Sequence, residues 1–298
     1  MSLPIYWLNA WLLVDVNDPD ANSRVGNTYS KPVEVRFGDD KADNATKLVV
    51  DQVVVETMDL TPTEWVEHVS MKSDLLSKYH NQDVYMMASI VFPKDYKTLK
   101  ATRQLPTVYY IEGYGGTESY AKRAKDFLSS EMGQDWQAGR WPTPMLRITL
   151  GSRFKFGHTS FADTETNGPW GTALVKEFIP YIESLYPAVP SASGRFLHGH
   201  SSGAWATLWL QLQFPEFFGG TWSSAPDPVD FSHFQVVNIY EARNAYWDVN
   251  GHLYPTNRKN GVVVASIRDE NLLERARSRG NGGQWDTFVR LADFNVGL

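Results

Sequence analysis

A serine stands between two glycines in the segment Gly199-His200-Ser201-Ser202-Gly203, a spacing written G-x-S-x-G. A serine hydroxyl can attack a carbonyl carbon if a base removes its proton and N–H donors stabilise the resulting oxyanion. The spacing predicts such a nucleophile only where a buried strand precedes the serine and a helix follows it. A glycine-rich turn without chemistry is the alternative.

The flanking residues favour the nucleophile. Residues 195–198 are a strand candidate that follows the breaker-rich segment 190–194. Downstream, apolar residues recur at the spacing of a helix that Pro215 ends. These apolar residues are Trp205, Leu208, Trp209 and Leu212. Residues 208–214 also alternate as a strand would. We favour the helix because glycine before it and proline after it give it an ordinary helix length.

The composition indicates one large globular domain. The chain has 298 residues, 42% of them hydrophobic, and no apolar segment approaches the roughly 18 residues of a membrane span. The formal net charge of −6 argues against a nucleic-acid partner, and the absence of cysteine excludes disulfides and thiol chemistry. Residues 1–16 lack the features of a signal peptide, so a secreted or periplasmic location follows only if an export signal has been removed.

The pattern divides the chain into two parts. Residues 1–80 contain short strand candidates and polar turns, and they predict an N-terminal β-rich extension. Residues 81–298 alternate strands with helices and predict the main domain. Within it we expect strands at residues 84–92, 106–111, 145–150 and 219–224, and helices at residues 119–132 and 172–186. Pro180 should kink the second helix or mark a helix start.

This alternation predicts a mostly parallel α/β sheet with helices on both faces. Ligands of such sheets bind at the carboxyl ends of the strands. Ser201 and three loops should therefore meet at one sheet edge; the loops are residues 113–116, 152–171 and 226–233.

Three segments carry a resemblance to a known family: "YYIEGYGG", "GHTSFADTETNGPWGTALVKEFIPYIESLYP" and "GRFLHGHSSGAWATLWLQLQFPEFFGGTWSSAPDPVDF". In order and spacing, the chain from about residue 84 to 235 resembles the putative-esterase branch of the α/β-hydrolase superfamily, related to feruloyl esterases and S-formylglutathione hydrolase. The resemblance implies an α/β-hydrolase fold and hydrolysis of a carboxylic ester through an acyl-enzyme on Ser201. It implies no cofactor.

The same resemblance implies an oxyanion hole made by two backbone N–H groups. One belongs to Ser202, and the other belongs to Tyr114 in the loop after the third strand. A plain glycine turn is the alternative for that loop. Glu112 stands where many relatives carry a histidine, which changes the charge beside the loop.

The acid and histidine of a catalytic triad are harder to place. In this fold they follow the serine in the order acid, then histidine, after the seventh and eighth strands. Only His233 and His252 come after the serine, and His252 lies in a turn. Residues 261–267 are the only late strand candidate, and Asp269 follows it, but no histidine does. We therefore expect both groups beyond Leu298, so that this chain is a fragment or an inactive variant.

Other residues could contribute at the same edge. His158 and His233 are candidates for a substitute base or a substrate contact, and His200 is a candidate for substrate contact or loop packing. Trp170 is expected on the rim as a substrate contact. His198 and His200 form a single H-x-H pair without a third ligand, so we predict no metal site.

Two functions remain open. The first is a serine esterase that acts on a small-molecule or glycan ester. The second is an inactive ligand- or carbohydrate-binding module on the same fold, lacking the triad histidine. Neither involves nucleic acid or a membrane.

Overall fold

A six-stranded sheet forms the centre of the computed structural model, which describes residues 5–8, 10–12, 27–36, 47–54, 58–113, 120–154, 157–234 and 236–277. Its strands in chain order are β1 (Val66–Lys72), β2 (Tyr85–Val91), β3 (Thr107–Ile111), β4 (Leu146–Leu150), β5 (Arg195–His200) and β6 (Gly220–Ser224).

The spatial order of the strands is β6-β5-β3-β4-β2-β1. The four strands β6, β5, β3 and β4 run parallel, whereas β2 pairs antiparallel with both β4 and β1. All five residues of β4 are buried, as expected for a parallel strand covered on both faces. The prediction of a mostly parallel α/β sheet is confirmed.

Eight α-helices lie within the described ranges, interleaved with the strands. They are α1 (Asp74–His80), α2 (Tyr96–Leu99), α3 (Tyr120–Ser129), α4 (Glu131–Ala138), α5 (Trp170–Ala173), α6 (Ile179–Leu185), α7 (Ser202–Gln213) and α8 (Ile267–Arg277).

The sheet is covered on both faces by these helices. Helix α7 packs against β5, β6 and β3, and α3 packs against β2, β4 and β1. Side chains alternate along each strand, so Tyr109 of β3 joins the main core while Tyr110 faces the other way. On that other face Arg147 lies between the rings of Tyr110 and Phe127, the latter on α3.

The strand that carries the serine is anchored at its start. Arg195 makes a two-point ion pair with Glu183 of α6, with Nε–Oε1 2.6 Å and Nη2–Oε2 2.9 Å. Its guanidinium also lies over the Phe217 ring at 3.9 Å. Both partners are largely buried, and a bidentate pair of this kind fixes orientation as well as charge. The start of β5 is therefore held to α6.

Pro180 interrupts the helix predicted over residues 172–186, as expected. A π-helical segment, Leu174–Phe178, separates α5 from α6, and Pro180 is the second residue of α6. Proline has no N–H to donate to the preceding turn, and a π turn is one way for a helix to continue around such a site.

One predicted helix is two in the structure. The single helix expected over residues 119–132 ends at Ser129, and α4 begins at Glu131 with the Ser130 hydroxyl accepting from the Gly133 N–H at 3.1 Å. A Cβ on Gly133 would lie 1.9 Å from the Phe127 carbonyl oxygen, so the two helices meet at a close backbone contact. Ser130 thus caps the start of α4, and Gly133 allows α4 to begin close to the end of α3.

The N-terminal part is rich in short antiparallel strands. Ile5–Leu8 pairs with Val33–Arg36, and a three-stranded sheet contains Trp11–Leu12, Thr28–Ser30 and Val50–Val53. The central sheet, however, takes β1 from residues that the sequence pattern assigned to this extension. A domain boundary near residue 80 stays a prediction, and the sheet extends beyond it to Val66.

The late strand predicted over residues 261–267 lies outside the central sheet. Val262–Ser266 pairs antiparallel with Pro255–Lys259 in a separate hairpin. Asp269 follows in the first turn of α8, where its carboxylate accepts from the Ser266 hydroxyl at 2.6 Å. No helix in the described ranges is long and apolar enough to cross a membrane.

Candidate active site

Ser201 occupies a strained turn between β5 and α7. Its backbone angles are φ 55° and ψ −125°, a region that residues other than glycine rarely adopt. The Ser201 N–H donates to the Ser224 carbonyl at 3.0 Å, and its own carbonyl accepts from the N–H groups of Ala204 and Trp205. Such a conformation costs about 1–3 kcal/mol and persists where the surroundings enforce it. The predicted strand–serine–helix turn is therefore present.

The two glycines around the serine are required by close backbone packing. A Cβ on Gly199 would lie 2.2 Å from the Gly203 carbonyl oxygen. A Cβ on Gly203 would lie 2.2 Å from the Ile111 carbonyl oxygen and 2.4 Å from that of Glu112. Helix α7 can begin directly beside β5 and β3 only because both positions lack side chains.

Two backbone segments of the predicted oxyanion hole lie beside Ser201. Ser202 is the first residue of α7, and the first N–H groups of a helix have no partner within it. Gly113, directly after β3, lies against the serine: a Cβ there would be 3.1 Å from Ser201 Cβ and 3.7 Å from Ser201 Oγ. Tyr114 lies outside the described residues, so the role of its N–H stays a prediction.

Glu112 takes part in an ion pair beside the loop. Its Oε2 lies 3.0 Å from Arg123 Nε and accepts from the Tyr110 hydroxyl at 3.4 Å. The negative charge of Glu112 is therefore balanced locally. Its backbone carbonyl has a different partner, His158.

His158 is a buried structural residue rather than a substitute base. Its Nε2–H donates to the Glu112 carbonyl at 2.7 Å, and its Nδ1 accepts from the Ser160 N–H at 2.9 Å. Burial lowers the pKa of the imidazole to about 4, so the ring is neutral near pH 7. The only basic lone pair is already used. The proposal of His158 as base is wrong for this reason, but the ring does join two of the predicted edge loops.

The remaining histidine candidates lie at the surface. His200 is exposed at the end of β5. His233 is also exposed and pairs with its own loop, with Nδ1 3.2 Å from Asp230 Oδ2 and 2.8 Å from Ser232 Oγ. Within the described ranges, no histidine ring makes a hydrogen bond with the Ser201 side chain.

The triad acid and histidine expected beyond Leu298 are not tested by the structure. The described residues end at Arg277, so Leu298 and the segment before it lie outside them. Asp269, the acid that follows the late strand, bonds to Ser266 at the start of α8. The position of both triad groups therefore stays a prediction.

A carboxylate that the sequence did not single out is bonded to Ser202, the residue after Ser201. Asp227, in the loop after β6, accepts a hydrogen bond from the Ser202 hydroxyl. Burial raises the pKa of Asp227, and the hydrogen bond from the Ser202 hydroxyl opposes that rise. The sequence pattern predicts residues 226–233 at the same sheet edge as Ser201. That expectation covers the loop but does not identify Asp227 within it.

The family comparison agrees with this geometry. The family described as "Putative esterase" matches residues 80–266, well over half of the chain. The chain belongs to this family. Comparison with curated proteins gives no match.

Solved structures that the chain matches include two esterases and a hydrolase. A ferulic acid esterase is 17% identical over 54% of this chain and 59% of its own, with a TM-score of 0.45. The ferulic acid esterase AmCE1/Fae1A from Anaeromyces mucronatus, in complex with ferulic acid, is 17% identical. That match covers 57% of this chain and 62% of the esterase chain, with a TM-score of 0.42. An S-formylglutathione hydrolase from Agrobacterium tumefaciens is 15% identical. That match covers 54% of this chain and 58% of the hydrolase chain, with a TM-score of 0.42. The match thus spans about three fifths of the first relative's length.

Trp170 of this esterase-family chain lies in the core and not on the rim. Its side chain is 1% exposed, and its ring lies 5.1 Å from that of Phe154 and 6.3 Å from that of Phe161. The predicted substrate contact at Trp170 therefore needs correction. As the first residue of α5, it packs inward with the loop that carries His158 instead of facing the active edge.

Replacing this tryptophan should chiefly affect stability. We expect Trp170→Ala to lower the free energy of unfolding by about 3–5 kcal/mol, because it removes a large buried ring. Trp222→Ala, at a tryptophan that is 61% exposed, is the matched control and should change it by about 0.5 kcal/mol. Urea denaturation measures both values. Equal effects in the two variants would contradict the burial of Trp170.

Proposed function

We propose that this protein is a serine esterase that hydrolyses a carboxylic ester through an acyl-enzyme on Ser201. The observation that carries the proposal is the strained turn of Ser201 between β5 and α7. A strained serine at a strand–helix junction holds its hydroxyl at the strand end, where a substrate can reach it. Membership of the esterase family supports the same assignment.

The chemistry would proceed in two acyl transfers. Ser201 Oγ would attack the ester carbonyl carbon, and the negative charge formed on the carbonyl oxygen would be held by the Ser202 N–H and by the loop that begins at Gly113. Such donors commonly contribute two to three orders of magnitude in rate, about 3–4 kcal/mol each. Release of the alcohol leaves the acyl group on the serine, and attack by water then frees the acid.

The ester is proposed to be a small molecule or an ester group on a glycan. The described site uses backbone donors for the carbonyl oxygen, which recognise any carboxylic ester alike. The acyl and alcohol pockets depend on the surrounding loops, which differ among proteins of one fold.

A binding module is the second candidate, and one observation favours it. The described residues provide no histidine bonded to Ser201. A site of this kind would still present the Ser202 N–H to a carbonyl or carboxylate ligand. It would bind that ligand without catalysing a reaction.

Covalent labelling with a fluorophosphonate probe separates the two candidates. The esterase should be labelled at one serine, and Ser201→Ala should abolish the label because the attacking oxygen is gone. Peptide mass spectrometry locates the modified residue. Ser224→Ala, at an exposed serine on the end of β6, is the control and should label like the wild type. A folded wild-type protein that resists the probe would favour the binding module.

A further inference from the structure

His158 links the loop that follows β4 to the end of β3. It pairs with Arg153 in a short antiparallel hairpin and is 6% exposed. The Nε2–H of its imidazole donates to the Glu112 carbonyl at 2.7 Å. Glu112 directly precedes Gly113, which lies against Ser201. The ring therefore reaches the first peptide of the loop that should hold the oxyanion.

We propose that His158 is a positioning residue for the oxyanion hole. Its hydrogen bond to the Glu112 carbonyl fixes the peptide that joins Glu112 to Gly113. The N–H groups that follow in the loop are thereby directed at the carbonyl oxygen of the ester. The inference rests on the proposed esterase function, and in that reaction His158 acts through Glu112 and not on the ester itself.

The peptide between Glu112 and Gly113 is one that needs to be held. A peptide unit is planar, so the direction of its carbonyl also sets the direction of its N–H. Glycine permits backbone angles that other residues avoid, so a peptide that precedes a glycine can rotate more easily than most. The hydrogen bond from His158 opposes such a rotation because it ties the carbonyl oxygen to a buried ring.

The other contacts of this peptide agree with a fixed orientation. The Gly113 N–H donates to Glu112 Oε1 at 3.3 Å, and Oε2 of the same carboxylate lies 3.0 Å from Arg123 Nε. The Glu112 carbonyl also faces α7, since a Cβ on Gly203 would lie 2.4 Å from its oxygen. The Gly113 N–H is thus engaged within the loop. The next N–H along the chain, that of Tyr114, is the one we predict at the oxyanion.

The imidazole of His158 is held in the form that this hydrogen bond requires. Nδ1 accepts from the Ser160 N–H at 2.9 Å, so the ring proton is on Nε2, from which it can donate to a carbonyl. Ser160 and Phe161 both have positive φ angles, of 53° and 44°. Residues other than glycine seldom adopt this region, and they keep it where their surroundings enforce it. The fold therefore enforces the turn whose N–H orients the ring.

Two substitutions of His158 separate positioning from packing. Asparagine can place its amide oxygen near the position of Nδ1, where it accepts from Ser160, but it is too short to reach Glu112. Glutamine is one methylene longer and can place its N–H group near the position of Nε2, where it donates to the Glu112 carbonyl. Both variants lose the imidazole ring, so both should lose a similar amount of stability in urea denaturation.

The measurement is fluorophosphonate labelling of Ser201, resolved into the dissociation constant of the probe, KI, and the rate constant of covalent bond formation, kinact. We expect kinact of folded His158→Asn to fall about 10-fold or more, because loss of one oxyanion donor commonly costs about 100- to 1000-fold and a displaced donor retains part of its effect. KI should stay within about 3-fold of the wild type, since the lost interaction acts in the transition state. His158→Gln should keep kinact within about 3-fold of the wild type.

The matched control is His80→Asn. The Nε2 of His80 lies 3.0 Å from another backbone carbonyl of the loop after β4, that of Asn167, and this carbonyl does not belong to the oxyanion loop. Loss of that hydrogen bond should lower stability and leave kinact at the wild-type value.

A wild-type kinact in folded His158→Asn would overturn the positioning role, while labelling at Ser201 would leave the esterase proposal intact. An equal loss in the asparagine and glutamine variants would assign the effect to packing of the ring and would also overturn it. If the asparagine variant does not fold, the glutamine variant decides: kinact near the wild-type value supports the proposal, and a loss of about 10-fold or more contradicts it. A wild-type protein that is not labelled would overturn the esterase function and this inference with it.

Discussion

Hydrolysis of p-nitrophenyl acetate by this chain is expected to be about four to six orders of magnitude slower than at a complete serine–histidine–acid site, because that is the usual cost of removing a triad member. His158 is neutral and has both ring nitrogens engaged, and His233 is bonded within its own loop. Neither serves Ser201. The rate above the uncatalysed reaction would come from oxyanion binding.

This turnover should be slow because no histidine of the described residues is bonded to Ser201. A serine hydroxyl without a base to remove its proton is a weak nucleophile. The measurement is kcat/KM for p-nitrophenyl acetate, with Ser201→Ala as the reference for activity that does not depend on the site. Rapid Ser201-dependent turnover that is abolished by His158→Ala or His233→Ala would contradict this prediction.

The central strands were predictable where burial leaves a simple pattern. The runs that became β2, β3, β4 and β6 are bounded by turn residues, and the structure places each within a residue or two of its expected limits. Strand β1 was missed. Only Val66 and Val69 of its seven residues are buried, so it lacks the alternating pattern of a half-buried strand. It pairs antiparallel with β2 at the sheet edge. Such a pairing depends on tertiary contact.

The candidate site likewise contains one residue that the neighbouring sequence predicts and others whose positions depend on tertiary contacts. Ser201 was predictable because the close approach of α7 to β5 and β3 demands two glycines at fixed spacing. The position of Asp227 was not, since it depends on a hydrogen bond to Ser202 across 25 positions of the chain. The burial of the Trp170 side chain and the hydrogen bonds of His158 likewise depend on how one loop folds inward. The type of the residue alone does not predict either.

Gly203→Ala is expected to destabilise the protein by about 3 kcal/mol or more. In a helix, alanine is ordinarily about 1 kcal/mol more favourable than glycine, so propensity alone predicts the opposite sign. Here the added Cβ would lie 2.2 Å from the Ile111 carbonyl oxygen and 2.4 Å from that of Glu112, and a backbone oxygen cannot rotate away as a side chain can. Urea denaturation gives the change in unfolding free energy.

Gly220→Ala is the matched control, because the nearest atom to its added Cβ is Phe196 Cδ1 at 4.0 Å. It should change stability by less than about 1 kcal/mol, in the direction of greater stability. Equal effects at the two glycines would mean that α7 does not approach β3 as closely as the structure shows.

The Gly203 substitution should also impair the site in whatever fraction of the protein stays folded. The two carbonyls that the Cβ would meet belong to the residues just before Gly113, which lies against Ser201. Moving α7 away from β3 therefore moves the Ser202 N–H away from the loop that should share the oxyanion with it. Because oxyanion stabilisation depends on preorganised donors at about 3 Å, we expect fluorophosphonate labelling of folded Gly203→Ala to be at least about 10-fold slower than that of the wild type. Labelling at the wild-type rate would show that the close approach serves stability alone.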